Sequence, residues 1–237
     1  DMGAESSRIM LGTLAGNSID IEELHRFDSR NTVVQGTRYW DVLYLFSEIK
    51  TGLRTYVQRY GSHVDGIGVD SWGVDFGLID AEGTLLQNPV HYRDHRTDGI
   101  LERAFEVVPA ETIYSRTGIQ FMVFNTLYQL WALNRTAPNL LHAAGGFLNT
   151  PNLLSCFMTG RACCEYTMAS TTQMLDVYKR DWARDLIEAF GIPLSVLPEI
   201  VPPGTKLGKL ETAFAEEVGM APCDVIAPCT HDTASAV

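Results

Sequence analysis

The sequence predicts an α/β domain, a mixed sheet with flanking helices, and three observations predict it. Short runs of alternating apolar residues, Ile67 and Val69, then Val74, Phe76 and Leu78, stand beside long stretches in which apolar residues recur every three or four positions. The first period belongs to strands and the second to helices. Apolar residues fill 46% of the 237 positions, enough for one large domain with a sizeable core. Polar residues gather where strands end, at residues 70–73 and 230–233, which is where ligands sit in open α/β sheets.

Taken in order, Ile9, Leu11 and Leu14, a Gly16-Asn17 turn, and Ile19 and Ile21 form a β-hairpin signal. Asp41 is placed to cap a helix carrying Val42, Phe46, Ile49, Leu53 and Val57 on one face, a crossover that covers the sheet. Two strands follow, one ending at Asp70 and one running from Val74 to the turn at residues 80–83, and they meet at residues 71–73. From Asp98 the pattern is mostly helical, with Leu127, Leu130 and Trp131, then Leu153, Leu154 and Phe157, then Trp182, Leu186, Ile187 and Phe190. The Pro-rich residues 193–208 read as an irregular connection. Val225, Ile226 and Ala227 form a last short strand that delivers Thr230, His231 and Asp232, and residues 233–237 read as the first turn of a helix. Asp1, residues 70–73 and residues 231–233 are therefore expected to share one cleft.

A net charge of −11 argues against nucleic acid or an acidic membrane surface as partner, because both need clustered Lys and Arg. It also repels a free nucleotide at long range, so a phosphate site here must work through local N–H groups and a bound cation, with Mg²⁺ the expected one. The five cysteines form no CxxC pair, and neither a signal peptide nor an apolar run of ~18 residues is present, which points to a reducing cytoplasm. Cys156, Cys163 and Cys164 lack His partners at zinc spacing and read as buried residues. The chain opens on Asp1 and closes inside a helix turn, so it reads as a piece of a longer protein.

Three segments carry chemistry. Asp1, followed by Gly3, Ala4, Glu5, Ser6, Ser7 and Arg8, offers a tight turn whose N–H groups and hydroxyls can face phosphate oxygens while Asp1 faces a metal ion through water; a plain hairpin turn is the alternative. In residues 68–76, Gly73 allows a ligand to approach the backbone, and Trp72 is either a sugar-stacking ring or core. At the end, Asp232 stands at a strand-to-helix junction, as a general base or as a helix cap. Arg93, Asp94 and Arg96 are read as sugar-hydroxyl ligands, with an ion-paired surface turn as the alternative, and Pro89 and Val90 argue against a helical metal pair at His91 and His95.

Together these pieces resemble the rhamnulokinase group of the FGGY carbohydrate kinase family, most clearly in Asp-Ser-Trp-Gly-Val-Asp-Phe at 70–76 and in residues 89–99, 116–121, 124–130 and 231–237. The resemblance implies that residues 1–237 are an amino-terminal, sugar-binding, ribonuclease-H-like domain of the actin- and hexokinase-like ATPase superfamily. A carboxyl-terminal domain that binds adenine would close the cleft. It implies ATP-dependent phosphorylation of L-rhamnulose to its 1-phosphate, with Ala4, Glu5, Ser6, Ser7 and Arg8 on the ATP phosphates. Gly73, His231, Asp232 and Thr233 would hold the sugar, Asp232 would be the catalytic base, and Asp1 would sit near Mg²⁺. Glu5 and Ser7 depart from the group's usual Ala-Ser-Ser-Gly-Arg, and a carboxylate beside triphosphate is repulsive unless it turns away or reaches the metal. The alternatives are a family kinase for another ketose or polyol, and a sugar- or nucleotide-sensing module without transfer.

Overall fold

The computed structural model describes residues 1–237. Strands β1 (Ser6–Ala15) and β2 (Ser18–Asp28) form the expected antiparallel hairpin, turned at Gly16 with φ +61. A second hairpin, β3 (Asn31–Val34) and β4 (Thr37–Trp40), was not expected; Gln35 and Gly36 turn it, both at positive φ. Helix α1 (Val42–Tyr60) starts where Asp41 accepts the Tyr44 N–H at 3.0 Å, a side-chain cap for one of the orphan donors of the first turn. Its buried face runs through Val42, Leu45, Ile49, Leu53 and Tyr56, leaving the expected Phe46 and Val57 at the margin.

Strand β5 (Gly66–Ile67) stops short of the expected end at Asp70, and the chain departs from expectation again at Val74. Val74 has φ +69, and the Asp75 N–H donates to the Gly73 carbonyl at 2.9 Å. This is a γ-turn of the rare positive-φ kind, which costs a β-branched residue about 1–3 kcal/mol. The strand therefore begins only at Phe76, as β6 (Phe76–Ile79).

Helices α2 (Ile100–Val107), α3 (Ala110–Thr117), α4 (Thr126–Thr136) and α5 (Pro138–Ala143) follow. The stretch read as mostly helical then contains β7 (Gly146–Asn149), antiparallel to β6, before α6 (Thr150–Thr159). Next come β8 (Cys163–Glu165), α7 (Tyr166–Thr171), and the β9 (Leu175–Asp176) and β10 (Asp181–Trp182) pair, so Trp182 lies on a strand ahead of α8 (Arg184–Ala189). Residues 193–208 are not irregular throughout: β11 (Glu199–Val201) runs parallel to β8, and β12 (Thr205–Lys209) runs antiparallel to β13 (Asp224–Ala227). Helix α9 (Thr212–Val218) links β12 to β13, β13 runs parallel to β5, and α10 (Asp232–Ser235) closes the chain.

The buried strands divide two apolar cores by simple alternation. Phe76 and Leu78 of β6, Phe147 of β7 and Cys164 of β8 face the core built with α4 and α8, while Ile79, Leu148 and Cys163 face the core built with α1, α6 and α9. Side chains on a strand alternate between faces, so the β6–β7 pair and β8 each serve both cores. No helix is long and apolar enough to cross a membrane.

Candidate active site

Single backbone bridges join the three strand ends expected to share a cleft. Met2 pairs parallel with Ser71, and Ser71 pairs parallel with His231. The Ser71 N–H donates to Thr230 O and the Asp232 N–H to Ser71 O, both at 2.9 Å, while the Met2 N–H donates to Asp70 O at 2.9 Å. Ser71 is thus the central plank, with the Asp1 loop on one side and Asp232 on the other.

The loop from Met2 to Ser7 is a tight hairpin closed by a Met2–Ser7 bridge. A Cβ on Gly3 would lie 2.4 Å from Ser6 O, so only glycine fits there. The N–H groups of Ala4 and Glu5 make no hydrogen bond within the protein, which suits an anion-binding nest. Glu5 is exposed. The Ser7 side chain does not face outward as the phosphate reading expects: it is fully buried, and its hydroxyl pairs with Ser29 at 2.8 Å. Ser29, which nothing in the sequence singles out, also donates to Gly3 O at 2.5 Å and so braces the loop. Arg8 pairs with the Asp1 carboxylate, so it neutralises Asp1 at the loop base.

Beside His231 lies an open cavity of about 350 Å³ lined by Trp72, Gly73, Val74, Tyr92, residues 119–120, Met122, Phe124, Asn125 and Thr171. That volume falls at the small end of ligand pockets, about 300–1,000 Å³. Trp72 is both wall and core: it is 6% exposed, and its indole N–H donates to Asp75 at 3.0 Å. Gly73 does lie at the cavity, but a Cβ there would meet the Thr171 side chain at 3.1 Å, so the glycine already admits a protein neighbour. The wall at residues 119–125 went unremarked as a site in the sequence, although Gln120 and Asn125 are polar residues amid apolar ones. It is held from behind: Asn125 donates to Gln120 O at 3.0 Å and to Gln173 at 2.9 Å, and Gln173 donates to Ile119 O at 3.0 Å.

Asp232 is half-exposed next to this cavity. It is not the cap of α10, a position His231 takes; one carboxylate oxygen accepts the Thr233 N–H at 2.6 Å and lies 3.4 Å from the His231 ring, leaving the other oxygen free. Thr233 is exposed and its hydroxyl donates to Asp232 at 3.3 Å. Arg93, Asp94 and Arg96, expected as sugar ligands, are not among the residues lining this cavity. Asp94 is spent on the N–H groups of Arg38 and Arg96, at 2.9 and 3.0 Å, and Arg96 donates to Gln129.

Two titrating groups lie under the cavity. Burial pushes the Asp75 carboxyl up to about 6 against the pull of Trp40, Trp72 and Gln129 donors. Burial, with Arg38 and Arg93 nearby, pushes His91 down to about 4, and its Nδ1 accepts the Arg93 N–H at 3.0 Å. All five cysteines are free.

Strands between two helix-covered cores, with the candidate-site residues at bridged strand ends, fit the expected actin- and hexokinase-like fold. Solved structures share this fold: a xylulose kinase from Lactobacillus acidophilus aligns with 95% of this chain and 46% of its own, at TM-score 0.84 and 18% identity, and Plasmodium falciparum glycerol kinase with ADP aligns with 95% and 47%, at 0.77 and 16%. The chain belongs to the FGGY family of carbohydrate kinases, whose N-terminal domain matches residues 1–237. Rhamnulokinases of Halalkalibacterium halodurans and Pectobacterium carotovorum are 42% and 41% identical over this entire chain and 50% and 47% of their own. The chain spans about half the length of these curated relatives.

Proposed function

We propose that this domain supplies the sugar-binding wall and the catalytic base of an ATP-dependent kinase that converts L-rhamnulose to L-rhamnulose 1-phosphate. The observation that carries the reading is the Ser71 plank, which sets the Ala4–Glu5 nest and Asp232 on either side of one strand end. The two rhamnulokinase relatives, 42% and 41% identical over the full chain, favour this ketose over other ketoses and polyols.

In the proposed reaction the primary hydroxyl at C1 forms a bond to the γ-phosphorus while the bond from that phosphorus to the departing ADP oxygen breaks. The hydroxyl proton passes to the free oxygen of Asp232. The N–H groups of Ala4 and Glu5 face phosphate oxygens, the Ser7–Ser29 pair keeps the loop in shape, and Gly73, His231 and Thr233 border the sugar. Asp1, paired with Arg8, offers a hard carboxylate of the kind Mg²⁺ accepts through water. Bound Mg²⁺ would neutralise phosphate charge. A second, carboxyl-terminal domain would hold adenine and exclude water. The free cysteines agree with a cytoplasmic setting.

The test is ADP release by the full-length protein with L-rhamnulose, L-fuculose, D-xylulose and glycerol as acceptors. Turnover with L-rhamnulose at the highest kcat/KM is expected. A preference for another acceptor reassigns the sugar, and binding without turnover favours the sensing module.

A further inference from the structure

We propose that Asp75, which touches neither sugar nor nucleotide in the reading above, is the positioning residue that sets the shape of the sugar cavity. The proposal rests on that reading of the cavity as the sugar site. Asp75 is fully buried, and four donors from four parts of the chain converge on its carboxylate. Oδ2 accepts the indole N–H of Trp40 at 2.6 Å, the indole N–H of Trp72 at 3.0 Å and the backbone N–H of Tyr92 at 3.2 Å. Oδ1 accepts the side-chain amide of Gln129 at 3.2 Å.

Three of these partners lead directly to the cavity. Trp72 and Tyr92 line it. Gln129 uses the same amide nitrogen to reach Phe124 O at 2.7 Å and Val74 O at 3.2 Å, and Phe124 and Val74 line it as well. Trp40 buttresses from behind, 4.5 Å from the Trp72 ring and stacked on His91 at 4.0 Å. Asp75 is itself fixed through its backbone, since Asp75 O accepts from the Thr150 N–H and the Asn149 side chain, both at 3.1 Å, at the start of α6. Asp75 follows the γ-turn at Val74, is fully buried and does not line the cavity. A buried carboxylate is costly, and burial holding its carboxyl near 6 records that cost. Neutral side chains would satisfy two or three of these donors; only a carboxylate accepts from all four without bringing a donor of its own.

The test is Asp75→Asn in the full-length protein, where the Asn amide sets a donor against a donor whichever way it turns. The expected result is a rise of tenfold or more in the KM for L-rhamnulose, with the KM for ATP unchanged and kcat within threefold. The tryptophan emission change on adding L-rhamnulose should shrink accordingly. Trp40→Phe, which keeps an aromatic ring, though a smaller one, while it removes one donor and alters no cavity-lining residue, should raise the sugar KM severalfold and decides the matter if Asp75→Asn does not fold. An unchanged sugar KM in folded Asp75→Asn, or in Trp40→Phe when that is the variant in hand, overturns the proposal. So does a loss shared equally by sugar KM, ATP KM and kcat, the mark of a general structural role. Absence of L-rhamnulose turnover in the unsubstituted protein overturns the functional reading and this proposal with it, whereas turnover there with an unchanged sugar KM in the variant overturns this proposal alone.

Discussion

Glu165 accepts both the backbone N–H and the hydroxyl of Thr230 on one carboxylate oxygen, at 2.9 and 3.0 Å. The same fully buried carboxylate caps α7 through the Thr167 N–H at 2.8 Å, and the Thr167 hydroxyl in turn accepts the His231 N–H at 3.3 Å. The strand end that delivers Asp232 is therefore pinned by a residue distant in sequence. Glu165→Ala should lower kcat about 10²-fold by letting Asp232 drift. It should also destabilise the fold by about 3 kcal/mol, because several buried donors lose their acceptor. Steady-state kinetics beside urea unfolding checks both, and an unchanged kcat in a folded variant rejects the link.

Asp232→Asn should leave L-rhamnulose binding within a few-fold and lower kcat by ~10²–10⁴, the usual worth of a general base. Asn can still hydrogen-bond the hydroxyl but cannot take its proton. Calorimetry for binding and ADP release for turnover separate the two quantities. Near-normal turnover would remove Asp232 from the base role.

The two groups under the cavity should pull acid stability in opposite directions. His91 is lowered from 6.5 to about 4, so the stability it contributes is full above pH 6.5 and is lost as pH falls through 4. Asp75 is raised from 3.8 to about 6, so its ionised form is a cost, about 3 kcal/mol, fully present above pH 6 and relieved as pH falls toward 3.8. Between pH 6 and 4 the slopes oppose. His91→Gln should therefore gain stability on acidification across that window relative to the unsubstituted protein, measured by urea midpoints at pH 7, 5.5 and 4.5. Parallel profiles would mean that His91 does not titrate as its surroundings imply.

Gly73→Ala should weaken sugar binding by pressing a methyl group against Thr171, which stands 3.1 Å from where that methyl would lie. Thr171→Ala in the same chain should restore most of the affinity by removing the Thr171 atoms nearest the new methyl. If the second substitution restores nothing, the glycine is there for the ligand and not for Thr171.

How much of this was legible in the sequence depends on how local each cause is. The Gly16 turn and the Asp41 cap are set by neighbours within a few residues, and they stand where the sequence puts them, whereas the strands stop earlier than expected, β5 at Ile67 and β13 at Ala227, and only single bridges at Ser71 continue the pairing beside Asp70 and Asp232. Strand β7 was missed because Gly146 to Asn149 is buried on both faces, which erases the alternation that marks a strand. Ser7 looked like a phosphate ligand because nothing near it reveals Ser29, its partner across the hairpin base. Thr171, which occupies the space beside Gly73, comes from the distant helix α7 and leaves no trace at position 73. The positive φ of Val74 is likewise invisible in a run of alternating apolar residues; the carbonyl of Val74 is held by Thr126 at 2.7 Å and by Gln129, partners more than fifty positions away.

The division of the interior into two cores bears on how the domain opens. Trp72 belongs to the core with α1, α6 and α9, whereas Asn125 starts α4 and Thr171 ends α7, helices whose buried residues belong to the other core, so the cavity lies along the seam. Each core can loosen as its own cooperative unit, and amide hydrogen exchange would then show two protection levels across one small domain. A ligand seated on the seam binds only when both units are closed, so occupancy slows exchange in both at once and draws the two levels together.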